Sequence, residues 1–254
     1  MKIISVINLK GGVAKTITAA NMAHILAAFH GKRVLLVDND KQGNTSKTFG
    51  VHDYERKSVS DLLTQRNVDL SEIIRNTPFQ NIDVLPANMT LLQANRDALV
   101  DSTRPQQTRF QLAFKSILTT YDYCIIDNAP DINISTINAL VASDDVIIPV
   151  KIDEYAFDGL AELKEQIGDI QEALNPGLRL AGCLITCFQR TDADRQGEEW
   201  LRNNKDYPVF KTHIRYSEKV TESTFAKSPI AVYSRRSAAA MDYIAFVKEY
   251  LQME

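Results

Sequence analysis

Cysteine is scarce in this chain. There are three, Cys124, Cys183 and Cys187, too few and too odd in number for a disulfide framework, which suggests a reducing, cytoplasmic setting. The pair Cys183-x-x-x-Cys187 lies in an apolar run, and two strand residues facing one side is the expected reading over a metal site. The four histidines are scattered and form no metal-ligand spacing. Long apolar runs are also missing. None approaches the roughly 18 residues that read as a membrane span, and the opening Met-Lys-Ile-Ile-Ser-Val-Ile-Asn turns polar too soon for a signal peptide. No internal repeat, low-complexity segment or linker interrupts the chain, so a single domain over 1–254 is expected. An excess of charge is lacking too. The net charge of −3 argues against a generic nucleic-acid binder, but its distribution is uneven. From Arg202 to Arg236 eight Lys/Arg face three Asp/Glu, a net of +5, which leaves −8 on the remainder. That asymmetry points to an anionic partner near the C-terminal third.

What is present is a globular composition, 44% hydrophobic and 24% charged, enough for one large α/β core. Residues 2–8 read as a short buried strand. Residues 16–30 read as an alanine-rich helix stopped at Gly31. Residues 33–37 form the next apolar strand and run into Asp38, completing a βαβ unit. The alternation continues with strands at 82–85, 123–126, 146–150 and 178–188, and with helices at 106–119, 134–141, 157–174, 195–203 and 237–251. Residues 53–81 are the least patterned and read as surface loops with short helices. Apolar strands separated by helices predict an α/β fold with a mostly parallel sheet covered on both faces.

One stretch carries chemistry. Asn8-Leu9-Lys10-Gly11-Gly12-Val13-Ala14-Lys15-Thr16-Ile17 joins the first strand to the first helix. It misses both glycines of the phosphate-loop pattern G-x-x-x-x-G-K-[ST], with Leu9 and Ala14 in their places. The context is nevertheless that of a phosphate loop. Gly11-Gly12 permits the turn, a helix N-terminus follows, and Lys15-Thr16 can reach phosphates and Mg²⁺. Ala14 asks that its position tolerate a Cβ. Two further strands end in carboxylates, at Asp38 and Asp127, and in open α/β sheets such ends face the ligand crevice.

"KGGVAKT" resembles the deviant Walker A box K-G-G-V-G-K-[ST] of the ParA/MinD ATPases, a class of P-loop NTPases. Val34–Asn44, "VLLVDNDKQGN", resembles that family's V-L-L-I-D-x-D-P-Q-G-N, with Lys41 for proline. Tyr121–Pro130, "YDYCIIDNAP", resembles its D-Y-I-I-I-D-x-P-P, with Ala129 for the first proline. The stretches from Thr136 to Leu160 and from Lys219 to Ile230 resemble partition-ATPase segments. The similarity therefore spans nearly the whole chain and is specific to the ParA branch in its short form, without an N-terminal DNA-binding extension.

The resemblance implies ATP/ADP and Mg²⁺ as cofactors. Gly11, Gly12, Val13, Ala14 and Lys15 would cradle phosphates, with Ile17 near the α-phosphate. Thr16 and Asp127 would hold Mg²⁺, with Asp38 near the metal, and Asp40 would position the attacking water. Lys10 would neutralise phosphate charge across a sandwich homodimer. Arg215 and Ser217 fall where the family's adenine loop lies. Arg190 and Lys219 match positions implicated in non-specific DNA binding, and Arg202, Lys205, Lys227, Arg235 and Arg236 join them by charge. A ParB-like centromere-binding partner would stimulate slow hydrolysis and release DNA, in a nucleoid-associated cytoplasmic setting. Three other readings stay open. A MinD-like membrane switch needs a cationic amphipathic tail, whereas "AMDYIAFVKEYLQME" has one Lys against Asp242, Glu249 and Glu254 and suits a core-docking helix. An iron–sulfur relative needs bridging cysteines, and those here fall within strand readings. A nucleotide-binding switch with impaired hydrolysis would follow if Ala14 or Lys41 disables the site.

Overall fold

The computed structural model describes residues 1–153 and 156–253. Glu154 and Tyr155, within the Thr136–Leu160 stretch compared above, and Glu254, counted in the tail, lie outside the described residues. The strands are β1 (Lys2–Val6), β2 (Val34–Asn39), β3 (Arg75–Asn76), β4 (Ile82–Leu85), β5 (Tyr123–Asn128), β6 (Asp145–Lys151) and β7 (Arg179–Thr186). They form one sheet in the order β3-β4-β2-β5-β1-β6-β7, with the β3–β4 pair antiparallel and the rest parallel. The helices are α1 (Lys15–His30), α2 (Asn44–Thr48), α3 (Val59–Thr64), α4 (Thr90–Val100), α5 (Arg109–Phe114), α6 (Ile134–Ala142), α7 (Ala156–Ala173), α8 (Asp192–Asn203), α9 (Glu218–Phe225), α10 (Ile230–Tyr233) and α11 (Ala238–Leu251).

Side-chain alternation along the central strands builds two covered faces. Ile4, Val6, Leu36 and Ile125 pack with α1, α10 and α11. Their neighbours Ile3, Leu35, Cys124 and Ile126 pack on the opposite side with α3, α4, α5 and α6. Val146, Ile148, Cys183 and Ile185 continue that side under α7 and α8. The pairing Asp38↔Asp127 brings two acidic strand ends side by side, and Val6↔Asp127 aligns them with the end of β1. The crevice between these carboxyl ends is where the chain leaves β1 for α1.

Several expectations need correction. Residues 53–81 are not only surface: Leu62, Leu63, Leu70 and Ile73 are buried in the core beneath the sheet. The strand expected over 178–188 stops at Thr186, and Cys187 turns into the left-handed region with φ 55°, so it is not a strand residue beside Cys183. The helix expected over 106–119 is the shorter α5 followed by a 3₁₀ turn at Lys115–Ile117. Helices α4 and α9 were not anticipated. Gly31 does end α1, its N–H donating to the Ala27 carbonyl. The tail docks on the core, through Tyr243, Phe246, Val247 and Tyr250, while Met241 is exposed. Among the described residues no helix is long and apolar enough to cross a membrane.

Candidate nucleotide-binding site

The loop after β1 is shaped by backbone conformation. Gly12 has φ 73° and Ala14 φ 63°, so two residues in three sit in the left-handed region. At Gly12 a Cβ would meet nothing within 4 Å; the glycine is there for its φ. The positive φ of Ala14 makes this position more than a question of room for a methyl group. Ala14 is the N-cap of α1 and offers no side-chain cap, so the first-turn N–H groups remain free to meet an anion. The loop is anchored at both ends. Asn8 Nδ2 donates to the Pro149 carbonyl at 2.7 Å and Asn8 Oδ1 accepts from the Lys10 N–H at 2.8 Å. At the end of β7, Thr186 Oγ1 donates to the Val13 carbonyl at 3.1 Å.

The two loop lysines go to different places. Lys15 is buried and its Nζ folds back onto the Lys10 carbonyl at 2.8 Å. Burial lowers its pKa, opposed by the charges of Asp127, Asp40 and Asp131. Lys10 is half-buried and its ammonium pairs with Asp153, two residues beyond β6.

Opposite the loop stand the strand-end acids. Asp38 is fully buried. Its Oδ2 accepts from the Ser46 N–H at 2.7 Å and hydroxyl at 2.6 Å, and its Oδ1 from the Asp40 N–H at 3.3 Å. Burial, then the neighbouring Asp127 charge, push its pKa up to about 7. Asp127 is pushed up to about 6, mainly by burial, while the hydroxyls of Thr45 and Thr16 and the charge of Lys15 pull it back. Thr45 donates to Asp127 Oδ2 at 2.7 Å. Asp127 Oδ1 and Asn39 Oδ1 are buried with no hydrogen-bond partner among the described residues. The Asp127 oxygen, orphaned at a strand end beside the Thr45 hydroxyl, fits a hard cation with oxygen ligands; Asn39, one residue out of register, faces the other side of the sheet with Asn128. Asp38 Oδ2 is filled by the two Ser46 bonds, while Oδ1 keeps an acceptor site beyond its long bond from Asp40. Asp40 sits in a tight turn, its Oδ1 accepting from the Gln42 N–H at 2.9 Å and its carbonyl from the Gly43 N–H at 2.9 Å.

The structure thus brings together Lys10, Gly11, Gly12, Val13, Ala14, Lys15, Thr16, Asp38, Asp40 and Asp127. Ile17 follows on α1, half-buried against the core. Arg215 and Ser217 lie in the segment leading to α9. Arg215 is tied to Asp242, with Nη2 to Oδ1 at 2.7 Å and Nε to Oδ2 at 2.9 Å, and Ser217 N-caps α9 without a side-chain bond. Among the basic candidates, Arg190, Lys205, Lys227, Arg235 and Arg236 are exposed and unpaired among the described residues, although Arg235 also lies 4.8 Å over the Phe29 ring. Arg202 pairs with Glu198. Lys219 pairs with Glu222, and Tyr233 Oη donates to the same carboxylate at 2.7 Å. Sequence reasoning missed Asp153, Thr186, Thr45 and Ser46. The two hydroxyls directly follow the Asp38–Asn44 motif and were legible there; Asp153 and Thr186 reach the loop only through tertiary pairing.

A family model described as an AAA domain matches residues 1–180. The sporulation initiation inhibitor protein Soj of Bacillus subtilis (strain 168) is 37% identical, over 98% of this chain and 97% of its own length. The chromosome partitioning protein ParA of Myxococcus xanthus (strain DK1622) is 32% identical, over 100% of this chain and 89% of its own. Among solved structures, a cobyrinic acid a,c-diamide synthase from Mycobacterium smegmatis with bound ATP analog and magnesium superposes with a TM-score of 0.85 at 29% identity, covering 99% of this chain and 95% of that one. Identity at this level along the whole chain, on this loop and these strand ends, means that the protein belongs to the ParA-type partitioning ATPases of the ParA/MinD family.

Proposed function

We propose that this chain is an ATP-driven DNA-partitioning switch: with Mg²⁺–ATP it closes a sandwich homodimer that holds DNA without sequence preference, and slow hydrolysis, stimulated by a ParB-like partner, releases it. The setting is cytoplasmic and nucleoid-associated, and residues 1–254 act as one ATPase domain. The observation that supports this most is the division of labour between the loop lysines. Lys15 stays within its own loop, where it would bind phosphates in cis. Lys10 points its ammonium out to Asp153, leaving it available to a nucleotide on a second copy once that pair opens.

The chain's own residues account for the rest. The free N–H groups of the loop and of the α1 N-terminus bind phosphate oxygens, and Gly11 and Val13 complete the cradle. Thr16 and Asp127 would hold Mg²⁺, which when bound neutralises phosphate charge. Asp40, fixed in its turn, orients the attacking water, and Asp38 holds the start of α2 through Ser46. Phosphoryl transfer needs mostly positioning and charge stabilisation, which this inventory supplies. No basic side chain other than the two lysines lies in the loop, consistent with slow unstimulated turnover. Arg215 would contribute to the adenine side only through its backbone or after leaving Asp242, and Ser217 is better placed for contact. Arg190, Lys219, Arg235 and Arg236 would meet DNA.

Light scattering with ATP tests the switch. Asp40→Ala should bind ATP and remain a trapped dimer, and Lys10→Ala should bind ATP yet stay monomeric. A stable ATP dimer of Lys10→Ala, or wild-type phosphate release by Asp40→Ala, rules the reading out.

A further inference from the structure

A groove of about 360 Å³ opens beside the hydrolysis turn, between α4, the start of α6 and the segments following β2 and β5. Its walls are apolar, with Leu92, Leu99, Ile132 and Ile137, and two cations, Lys41 and Arg96, stand on it. Neither cation has an ion-pair or hydrogen-bond partner among the described residues. The third charged group, Asp131, accepts from Asn133 Nδ2 at 2.7 Å, so the groove carries a net positive charge. Leu99 and Arg96 are exposed, and Leu92 is 39% exposed. The surface is unfilled by this chain.

Two positions make the groove particular to this sequence. Lys41 and Ala129 each replace a proline of the motifs compared above, and both line it. They lie far apart in sequence and meet only here. Alanine at 129 leaves space that a pyrrolidine ring would fill, and lysine at 41 adds a charge. The volume admits about a dozen non-hydrogen atoms, taking roughly 30 Å³ for each, which is the size of a small metabolite. An apolar wall with an arginine fork and an ammonium suits an apolar stem ending in a carboxylate, because guanidinium matches carboxylate geometry in bidentate fashion.

We propose that this groove is a ligand site for a small amphipathic carboxylate, and that its occupancy is read by the Asp40 turn. The coupling is short. Lys41 is the middle residue of the turn that Asp40 closes through the Gln42 and Gly43 N–H groups, so fixing Lys41 on an anion constrains the Asp40 carboxyl. The coupling rests on the hydrolytic role assigned to Asp40; the binding does not.

Octanoate is the probe and octanamide its uncharged control. Binding is followed without nucleotide, by NMR of leucine- and isoleucine-methyl-labelled full-length protein. Octanoate should shift the methyls of Leu92, Leu99, Ile132 and Ile137 saturably, and octanamide should bind about tenfold more weakly. Arg96→Glu, a change on an exposed helix face, should weaken octanoate by a similar factor. The site is overturned if these methyls do not move, if octanamide binds equally well, or if Arg96→Glu has no effect. Methyl shifts that depend on protein concentration and not on octanoate would assign the groove to a second copy and also overturn it. Phosphate release is then measured with octanoate saturating. A changed rate that Arg96→Glu abolishes supports the coupling, and an unchanged rate overturns it. The binding arm survives even if the DNA switch fails.

Discussion

At the scale of single residues, Ala14 stands out. An L-residue in the left-handed region costs about 1–2 kcal/mol, and Ala14 sits there at φ 63° in the loop proposed to meet phosphate. Ala14→Gly removes that cost and gives back about 0.5–1 kcal/mol through the more flexible unfolded chain. The net should be a gain of up to ~1 kcal/mol, a rise in melting temperature of about 2–4 °C at most, with ATP binding retained. A lower melting temperature would show that the methyl group packs usefully in the turn. The strand-end carboxyls give a second prediction. Asp38 and Asp127 are raised to about 7 and about 6 from an unfolded value of 3.8. Between those values the folded state binds more protons than the unfolded state, so stability falls as pH rises. Their contribution is full below about pH 4 and is lost as pH passes through the folded values. Urea unfolding of the nucleotide-free protein should show this fall, and Asp38→Asn should flatten it. Mg²⁺ favours ionised oxygen ligands, so stabilisation by Mg²⁺–ATP should be larger at pH 8 than at pH 6. An unchanged pH slope in Asp38→Asn would remove that carboxyl from the account.

At the scale of elements, the turn between β2 and α2 sets the position of Asp40. Gly43 has φ 64°, and a Cβ there would lie 2.9 Å from the Ala87 carbonyl oxygen and closer still to the His52 ring. The carbonyl belongs to the backbone after β4 and cannot move aside cheaply. Gly43→Ala should therefore destabilise by more than the ~1 kcal/mol of an ordinary left-handed alanine and should slow phosphate release by displacing Asp40. Wild-type stability and turnover in this variant would show that the turn relaxes freely. The same turn shows what the sequence made legible. Val34 to Asn39 is apolar, β-branched and ends in an acid, so strand and crevice could be read from local pattern. So could β1, α1 and β5. Helix α4 is weakly marked because its buried face, Leu91, Ala94 and Ala98, keeps helical spacing but is mostly alanine, and its anchors are tertiary, such as Asn95 Oδ1 accepting from the Ser135 N–H at 2.8 Å. Residues 59–73 lack the length to show a period, yet their leucines are core. The groove beside Lys41 was invisible because Ala129 and Lys41 meet only when β2 and β5 pair.

At the scale of the whole molecule, the question is how a chain of net charge −3 could hold a polyanion. The basic excess between Arg202 and Arg236 is smaller in effect than its count, because Arg202, Arg215 and Lys219 are committed to Glu198, Asp242 and Glu222. Lys205, Lys211, Lys227 and Arg236 remain exposed and without an ion pair among the described residues, as does Arg190 outside that stretch, and Arg235 leans on Phe29. Helix α10 packs against both α9 and α11, and Glu222 holds Lys219 and Tyr233 together, so the helix carrying Lys219 adjoins the turn that carries Arg235 and Arg236. On the proposed switch, a monomer would offer few phosphate contacts and an ATP dimer twice as many. Each neutralised phosphate contributes about 0.9 to the slope of log affinity against log salt. DNA binding should accordingly depend on ATP and fall steeply with salt. Arg190→Ala or Arg236→Ala, each lost twice per dimer, should flatten the slope by about 1.8 while ATP-driven dimerisation survives. Lys219 behaves differently. Its charge is already cancelled by Glu222, so Lys219→Ala should cost less than Arg236→Ala, and Glu222→Gln should tighten DNA binding and steepen the slope by freeing the ammonium. Titrations at several salt concentrations, with and without ATP, decide this. If Glu222→Gln leaves the slope unchanged, Lys219 does not face DNA; if affinity is equal in both nucleotide states, the dimer serves another purpose.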